Sequence, residues 1–303
     1  MNAEKPGHPV RGRRRQEWFE QRRDFFMRRV FEDFFAIVRS FQDVYQVYLG
    51  CKGAGRPAAI DLLAPKNDAL RAKIWDRLTL MVGTEVDKGP LWQLKDLCHR
   101  IWPEDGQAGV PEGALVDWLV GLIFHEAMKL KENVYILGRY GPAAFRMRDP
   151  ETVEVSGTRD LTRIMDVNGL IHRVKIDVTA QMDQLAFLFG QTSYILRTML
   201  PWLSENMLVV RLLAEQEDVV QELWGEGTAA VFAEMFHRKP EQGFCAAGKS
   251  YLQGQWSVQA RDMYQRALSV NSDCFEADRR LKELLKQEYK SDEALPENNE
   301  GAL

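Results

Sequence analysis

Between Gln16 and Leu49 the chain carries neither glycine nor proline, and aromatic residues crowd into that stretch: Trp18, Phe19, Phe25, Phe26, Phe31, Phe34, Phe35, Phe41, Tyr45 and Tyr48. Phe34, Val38, Phe41, Tyr45 and Tyr48 recur at the three- and four-residue steps of one helical face. Phe31 and Phe35 widen that face. A long helix buried on more than one side is expected, with Gly50 as its stop. Such a helix needs others around it, which points to a mainly α protein.

The rest of the chain supports that fold class. Asn67 or Asp68 caps a helix to about Val82, with Leu70, Ile74, Leu78 and Met81 on one face. Pro90 suits the first turn of a short helix that turns Leu91, Leu94, Leu97, Cys98 and Ile101 inward and closes at Pro103. Ala114 to Leu137 is the clearest helix, striped by Leu115, Leu119, Leu122, Ile123, Ala127, Leu130 and Val134 and ended by Gly138, Gly141 and Pro142.

The pattern changes over residues 152–178. Thr152–Val155 alternates briefly, and Val174-Lys175-Ile176-Asp177-Val178 alternates cleanly, apolar against charged. A small β element is expected there, with a short helix around Asp160–Met165. Helical spacing resumes from Ala180 to Leu200. Pro201 then starts or kinks a helix to Trp224, and another covers Thr228–His237.

Composition limits the class further. At 45% hydrophobic and 28% charged residues, the 303-residue chain can bury a sizeable core. The net charge of −4 gives no global field toward nucleic acid. The charge is uneven, however. Residues 11–29 carry eight arginines against Glu17, Glu20 and Asp24, while the body is acidic. The four cysteines, Cys51, Cys98, Cys245 and Cys274, lie far apart with no C-x-x-C pair, which suits reduced thiols. The start has no apolar secretory core, and no run of about 20 apolar residues occurs. The nearest candidate, Leu185–Leu203, is interrupted by Gln191, Arg197 and Pro201. A cytoplasmic location is expected.

One segment resembles a known family. In residues 241–274, Phe244, Gly248 and Tyr251 precede Ala260, Tyr264 and Ala267 at the offsets of a tetratricopeptide (TPR) repeat. Ser272 stands where that family usually has proline, and no second copy lies one period earlier. The resemblance implies a helix–turn–helix hairpin. In it the small residues Gly248, Ala260 and Ala267 let two helices approach closely, while Tyr251 and Tyr264 fill the groove between them. A single repeat does not make the concave surface of a stacked array. Phe275–Tyr289 would be a capping helix.

The expected organisation is a disordered basic tail over 1–15, a helical domain over 16–240, the hairpin with its capping helix over 241–290, and a disordered acidic tail over 291–303. Catalytic motifs are missing: no P-loop, no G-x-S-x-G and no dinucleotide fingerprint. No cofactor is expected. The metal-ligating candidates are His125, Glu126 and Glu132 on one helix and Asp96 with His99 on another, since bundle metal sites set carboxylates and imidazoles on facing helices. The pattern is incomplete, because Glu-x-x-His is absent and H-E-x-x-H fails at Lys129. Glu126 with Lys129 reads instead as a surface pair, with His125 at the core boundary.

Arg11, Arg13, Arg14, Arg15, Arg22 and Arg23, beside aromatics, are candidates for contact with an anionic surface, lipid before nucleic acid. The function expected first is a non-enzymatic interaction or scaffold protein binding another protein through its helical surface. The alternatives are a metal-binding bundle or enzyme, and a peripheral membrane or nucleic-acid-associated protein.

Overall fold

A computed structural model describes residues 22–52, 67–102, 111–146 and 158–293. Among the described residues the chain forms eleven α-helices and no strand. They are α1 (Arg23–Lys52), α2 (Asp68–Val82), α3 (Pro90–Ile101), α4 (Pro111–Arg146), α5 (Thr158–Met199), α6 (Met207–Glu215), α7 (Glu217–Trp224), α8 (Thr228–Met235), α9 (Pro240–Gln253), α10 (Ser257–Val270) and α11 (Phe275–Glu293). The mainly α expectation holds. The helices fall into two compact units, one of Arg29–Leu196 and one of the remaining described residues.

In the Arg29–Leu196 unit, the aromatic face of α1 is the floor of the core. Phe31, Phe34, Phe35, Phe41 and Tyr48 are all buried. Phe34 and Phe41 meet Phe189 of α5 at ring-centroid distances of 6.2 and 4.8 Å. Helices α2, α3 and α4 pack on one another. They bury Ile74, Leu78 and Met81, then Leu91, Leu94 and Cys98, then Val116, Leu119, Ile123, Ala127, Leu130 and Val134. Leu115, expected in the last stripe, faces solvent instead. Gly83 closes α2 with a φ of +89°, a conformation that favours glycine, and Lys131 donates to its carbonyl at 2.5 Å.

The other unit is centred on α6, which is buried all round through Val209, Val210, Arg211, Leu212, Leu213 and Ala214. A helix enclosed on every side must be fastened at its start, where backbone N–H groups lack partners. Asn206 does this: its side chain accepts from the N–H groups of Leu208 and Val209 and donates to the Asp24 carbonyl, each at 3.2 Å. Helix α9 packs on α6, α8 and α10, and α10 packs on α11.

Several expectations need correction. The clean alternation at Val174–Val178 is not a strand, because α5 runs through it. Val174 and Val178 are one helical turn apart and both buried, continuing into Met182 and Leu185. Alternation by two therefore also placed apolar residues four apart, and burial on the helical face overrode β propensity. Asp160–Met165 belongs to the same helix, and Thr152–Val155 lies outside the described residues.

Gly50 does not stop α1, nor do Gly138, Gly141 and Pro142 stop α4. Glycine within a helix costs about 1 kcal/mol and proline about 3 kcal/mol, penalties that need not end a long helix. Pro201 sits in a short 3-10 turn, Leu200–Leu203, and the segment to Trp224 is two helices, not one. The acidic end is helical as far as Glu293 rather than disordered from 291. The basic tail 1–15 and the rest of the acidic tail lie outside the described residues.

Candidate interaction surface

Helix α5 carries two stripes with the same spacing. Val178, Met182, Leu185, Phe189, Thr192 and Leu196 step by alternating fours and threes and are all buried. Ala180, Gln184, Phe187, Gln191 and Tyr194 repeat that rhythm on another face, and every one of them is exposed. Phe187 and Tyr194 are 58% and 62% exposed. This is the spacing of a helix seam, in which every second step returns to the same line.

The exposed stripe lacks the charge that normally marks a solvated helix face. Between residues 180 and 195 the one exposed charged side chain is Asp183, which accepts a 3.3 Å hydrogen bond from the Tyr45 hydroxyl. Gly190 lies between Phe187 and Tyr194, and a methyl group built there would meet nothing within 4 Å. The helix backbone is thus open to close approach at the middle of the stripe. On α4, Trp118, Met128 and Tyr135 are exposed as well.

A buried polar knot in the other unit positions the α9–α10 hairpin. The Arg211 guanidinium is nearly buried, lies 4.8 Å from the Trp256 ring centroid and 5.6 Å from that of Tyr251, and is ion-paired with Glu215 at 3.1 Å. Glu215 also accepts from the Tyr251 hydroxyl at 3.2 Å and faces Arg28 at 3.7 Å. Burial first, and then the Glu215 charge, push the Tyr251 hydroxyl up to about 12. The carboxylate and the two aromatic faces offset the charge of the cation, although Arg211 Nε makes no hydrogen bond. The knot is a clamp between α6 and the hairpin.

The residues singled out from sequence separate into three groups. The repeat-packing residues come together: Phe244, Tyr251, Ala260, Tyr264 and Ala267 are buried, and Gly248 faces the Tyr264 ring. The metal candidates do not converge. Glu126 pairs with Lys129 at 2.8 Å, Asp96 pairs with Arg100, and His99 Nδ1 lies 3.4 Å from Asp117 Oδ2. His125 and Glu132 are exposed, His125 lying beyond the core boundary expected for it. No group of three His, Cys, Asp or Glu residues able to hold a metal forms among the described residues. Of the arginines, Arg22 immediately precedes α1 and Arg23 opens it, both exposed, whereas Arg11, Arg13, Arg14 and Arg15 lie outside the described residues.

Sequence reasoning missed the outer α5 stripe and the Arg211 knot. The stripe had a partial signal, since Leu185–Leu203 stood out as the nearest approach to a long apolar run. The knot had only half a signal: Arg211 and Glu215 are one turn apart on α6, whereas Tyr251 and Trp256 join them only after folding. No described helix is long and apolar enough to cross a membrane. Compared with family models, curated proteins and solved structures, the chain finds no match.

Proposed function

We propose that this chain is a non-enzymatic helical interaction protein that seats an α-helix of a protein partner along the outer stripe of α5. The observation that carries the reading is the uncharged, exposed seam Ala180–Gln184–Phe187–Gln191–Tyr194 opposite a buried seam of equal spacing. A helix patterned for contact on two faces, of which the described residues cover one, offers the other for contact. The seam's chemistry selects the occupant. Two aromatics need apolar cover, two glutamines need neutral hydrogen-bonding partners, and Gly190 admits a close helix backbone. The complementary stripe is uncharged, with small and apolar residues.

The α9–α10 hairpin enters this proposal as a single TPR-like repeat that closes its unit. Support comes from the contact of Gly248 with Tyr264 and from the burial of Ala260 and Ala267. A cytoplasmic location is part of the same reading, supported by four scattered cysteines.

Photo-cross-linking tests the proposal. A benzophenone amino acid replaces Phe187 in the full chain, and a control places it at exposed Lys282. A discrete adduct with one other protein is expected at 187 and not at 282. That protein, purified, should bind Phe187→Ser/Tyr194→Ser at least about ten-fold more weakly than wild type, since each lost aromatic burial is worth about 1.5–3 kcal/mol. The unfolding midpoint should be unchanged. Equal affinity for the double variant would refute the reading, as would an adduct made only with a second copy of this chain.

A further inference from the structure

Two of the cysteines that are far apart in sequence meet in the fold. Cys245 lies on the buried side of α9, and Cys274 precedes α11; their sulfurs are 3.7 Å apart. We infer that Cys245 and Cys274 form an oxidisable dithiol, a site at which a hydroperoxide converts two thiols into one disulfide.

The surroundings hold the pair in place. Lys249, one turn after Cys245, is ion-paired at 2.6 Å with Glu276, two residues after Cys274. Ala277 is fully buried and anchors the first turn of α11. The Asp278 N–H donates to the Cys274 carbonyl at 3.1 Å, which makes Cys274 the capping residue of that turn. The sulfurs therefore face each other across a junction tied on both sides. The approach still needed to reach a bonding distance of about 2.0 Å falls on one helix turn and two side chains.

The two thiols differ in a way that orders the chemistry. Cys274 is partly exposed and Cys245 is buried, so the oxidant reaches Cys274 first. The Cys274 thiolate attacks the peroxide, the O–O bond breaks, and Cys274 becomes a sulfenic acid as hydroxide leaves. Cys245 sulfur then attacks the sulfenic sulfur, the S–O bond breaks, and water leaves with the proton from Cys245. Two thiols and one hydrogen peroxide give one disulfide and two waters; sulfur is oxidised and peroxide oxygen reduced. Burial, and secondly the neighbouring Cys274, push the Cys245 thiol well above its ordinary range.

The consequence is a clip between α9 and α11. The bond would close a loop over a separation of 29 residues that contains all of α10. Cross-linking across such a loop restricts the unfolded chain and raises stability. A transient, oxidant-formed disulfide is also compatible with a reducing compartment, where such bonds serve as sensors.

Intact-mass and peptide mapping of the full-length protein, titrated with hydrogen peroxide, test this. One Cys245–Cys274 linkage with loss of two thiols is expected at stoichiometric peroxide, reversed by dithiothreitol. The thermal midpoint should rise by roughly 5 °C on oxidation. In Cys245→Ser, Cys274 should instead be trapped by a sulfenic-acid probe, with no intramolecular link. The wild-type map needs no variant, so a folding defect in Cys245→Ser does not remove the test. Four thiols persisting under excess peroxide, linkage through Cys98 or Cys51, or only intermolecular adducts would each overturn the inference.

Discussion

Three glycines give the same substitution three different outcomes, and their order can be worked from distances. A Cβ at Gly243 of α9 would lie 2.3 Å from Cγ and 2.8 Å from Cβ of Phe232. These atoms are the stem of a fully buried ring, so the ring cannot swing away without moving α8. At Gly248 the Cβ would lie 2.8 Å from Cζ and 2.9 Å from Cε1 of Tyr264, the far end of a ring. That ring is fully buried too and must shift, but its tip moves with less change to the helix that carries it than a stem would require. At Gly121 of α4 a Cβ meets nothing within 4 Å.

Two terms compete in each Gly→Ala change. Replacing a mid-helix glycine by alanine contributes about 1 kcal/mol of helix propensity. Overpacking a tight core costs about 1–3 kcal/mol. Gly121→Ala has only the first term and should stabilise by about 0.5–1 kcal/mol. Gly243→Ala has the rigid clash and should destabilise by about 2 kcal/mol net. Gly248→Ala should fall between, within about 1 kcal/mol of wild type. Urea unfolding followed by far-ultraviolet circular dichroism measures all three, with the slope checked for constancy. If Gly243→Ala were as stable as Gly121→Ala, the close approach of α8 and α9 would be wrong. If Gly121→Ala were destabilised, the open face of α4 would be wrong.

Further expectations concern the two buried tyrosines. Tyr251→Phe removes a hydrogen bond to the Glu215 carboxylate and should cost about 1.5–3 kcal/mol, whereas the Tyr264 hydroxyl is buried without a hydrogen-bond partner, so Tyr264→Phe should be neutral or slightly stabilising. Equal losses in denaturant midpoint would contradict that assignment. Both hydroxyls are pushed up to about 12 from an ordinary value of 10, chiefly by burial, so the folded state holds these protons more tightly than the unfolded chain. Their contribution to stability is complete below pH 10 and is lost as pH rises through 12. Urea midpoints should drop over that window, less so in Tyr251→Phe; a flat profile would refute the burial argument.

What the sequence determined by itself was the set of helices whose buried faces follow from local spacing. Ile74, Leu78 and Met81 in α2, and Leu91, Leu94 and Cys98 in α3, are buried where three- and four-residue steps place them. The small and aromatic positions of α9 and α10 came instead from the resemblance to a tetratricopeptide repeat; among them Gly248 lies against the Tyr264 ring. Periodicity is a property of neighbours in the chain, so it survives without knowledge of the rest.

Tertiary structure decided whatever depends on partners distant in sequence. Val174 and Val178 satisfy both a strand and a helix pattern, and burial of the helical face alongside Met182 and Leu185 settled which one forms. The outer stripe of α5 has the same rhythm as the inner one, and only packing against Phe34 and Phe41 shows which stripe is covered. Arg211 with Glu215 one turn on would read as a surface ion pair; the Tyr251 and Trp256 rings, which reach it only when the hairpin docks, cover it and bury it. Cys245 and Cys274 likewise read as isolated thiols until α10 turns the chain back and sets their sulfurs 3.7 Å apart.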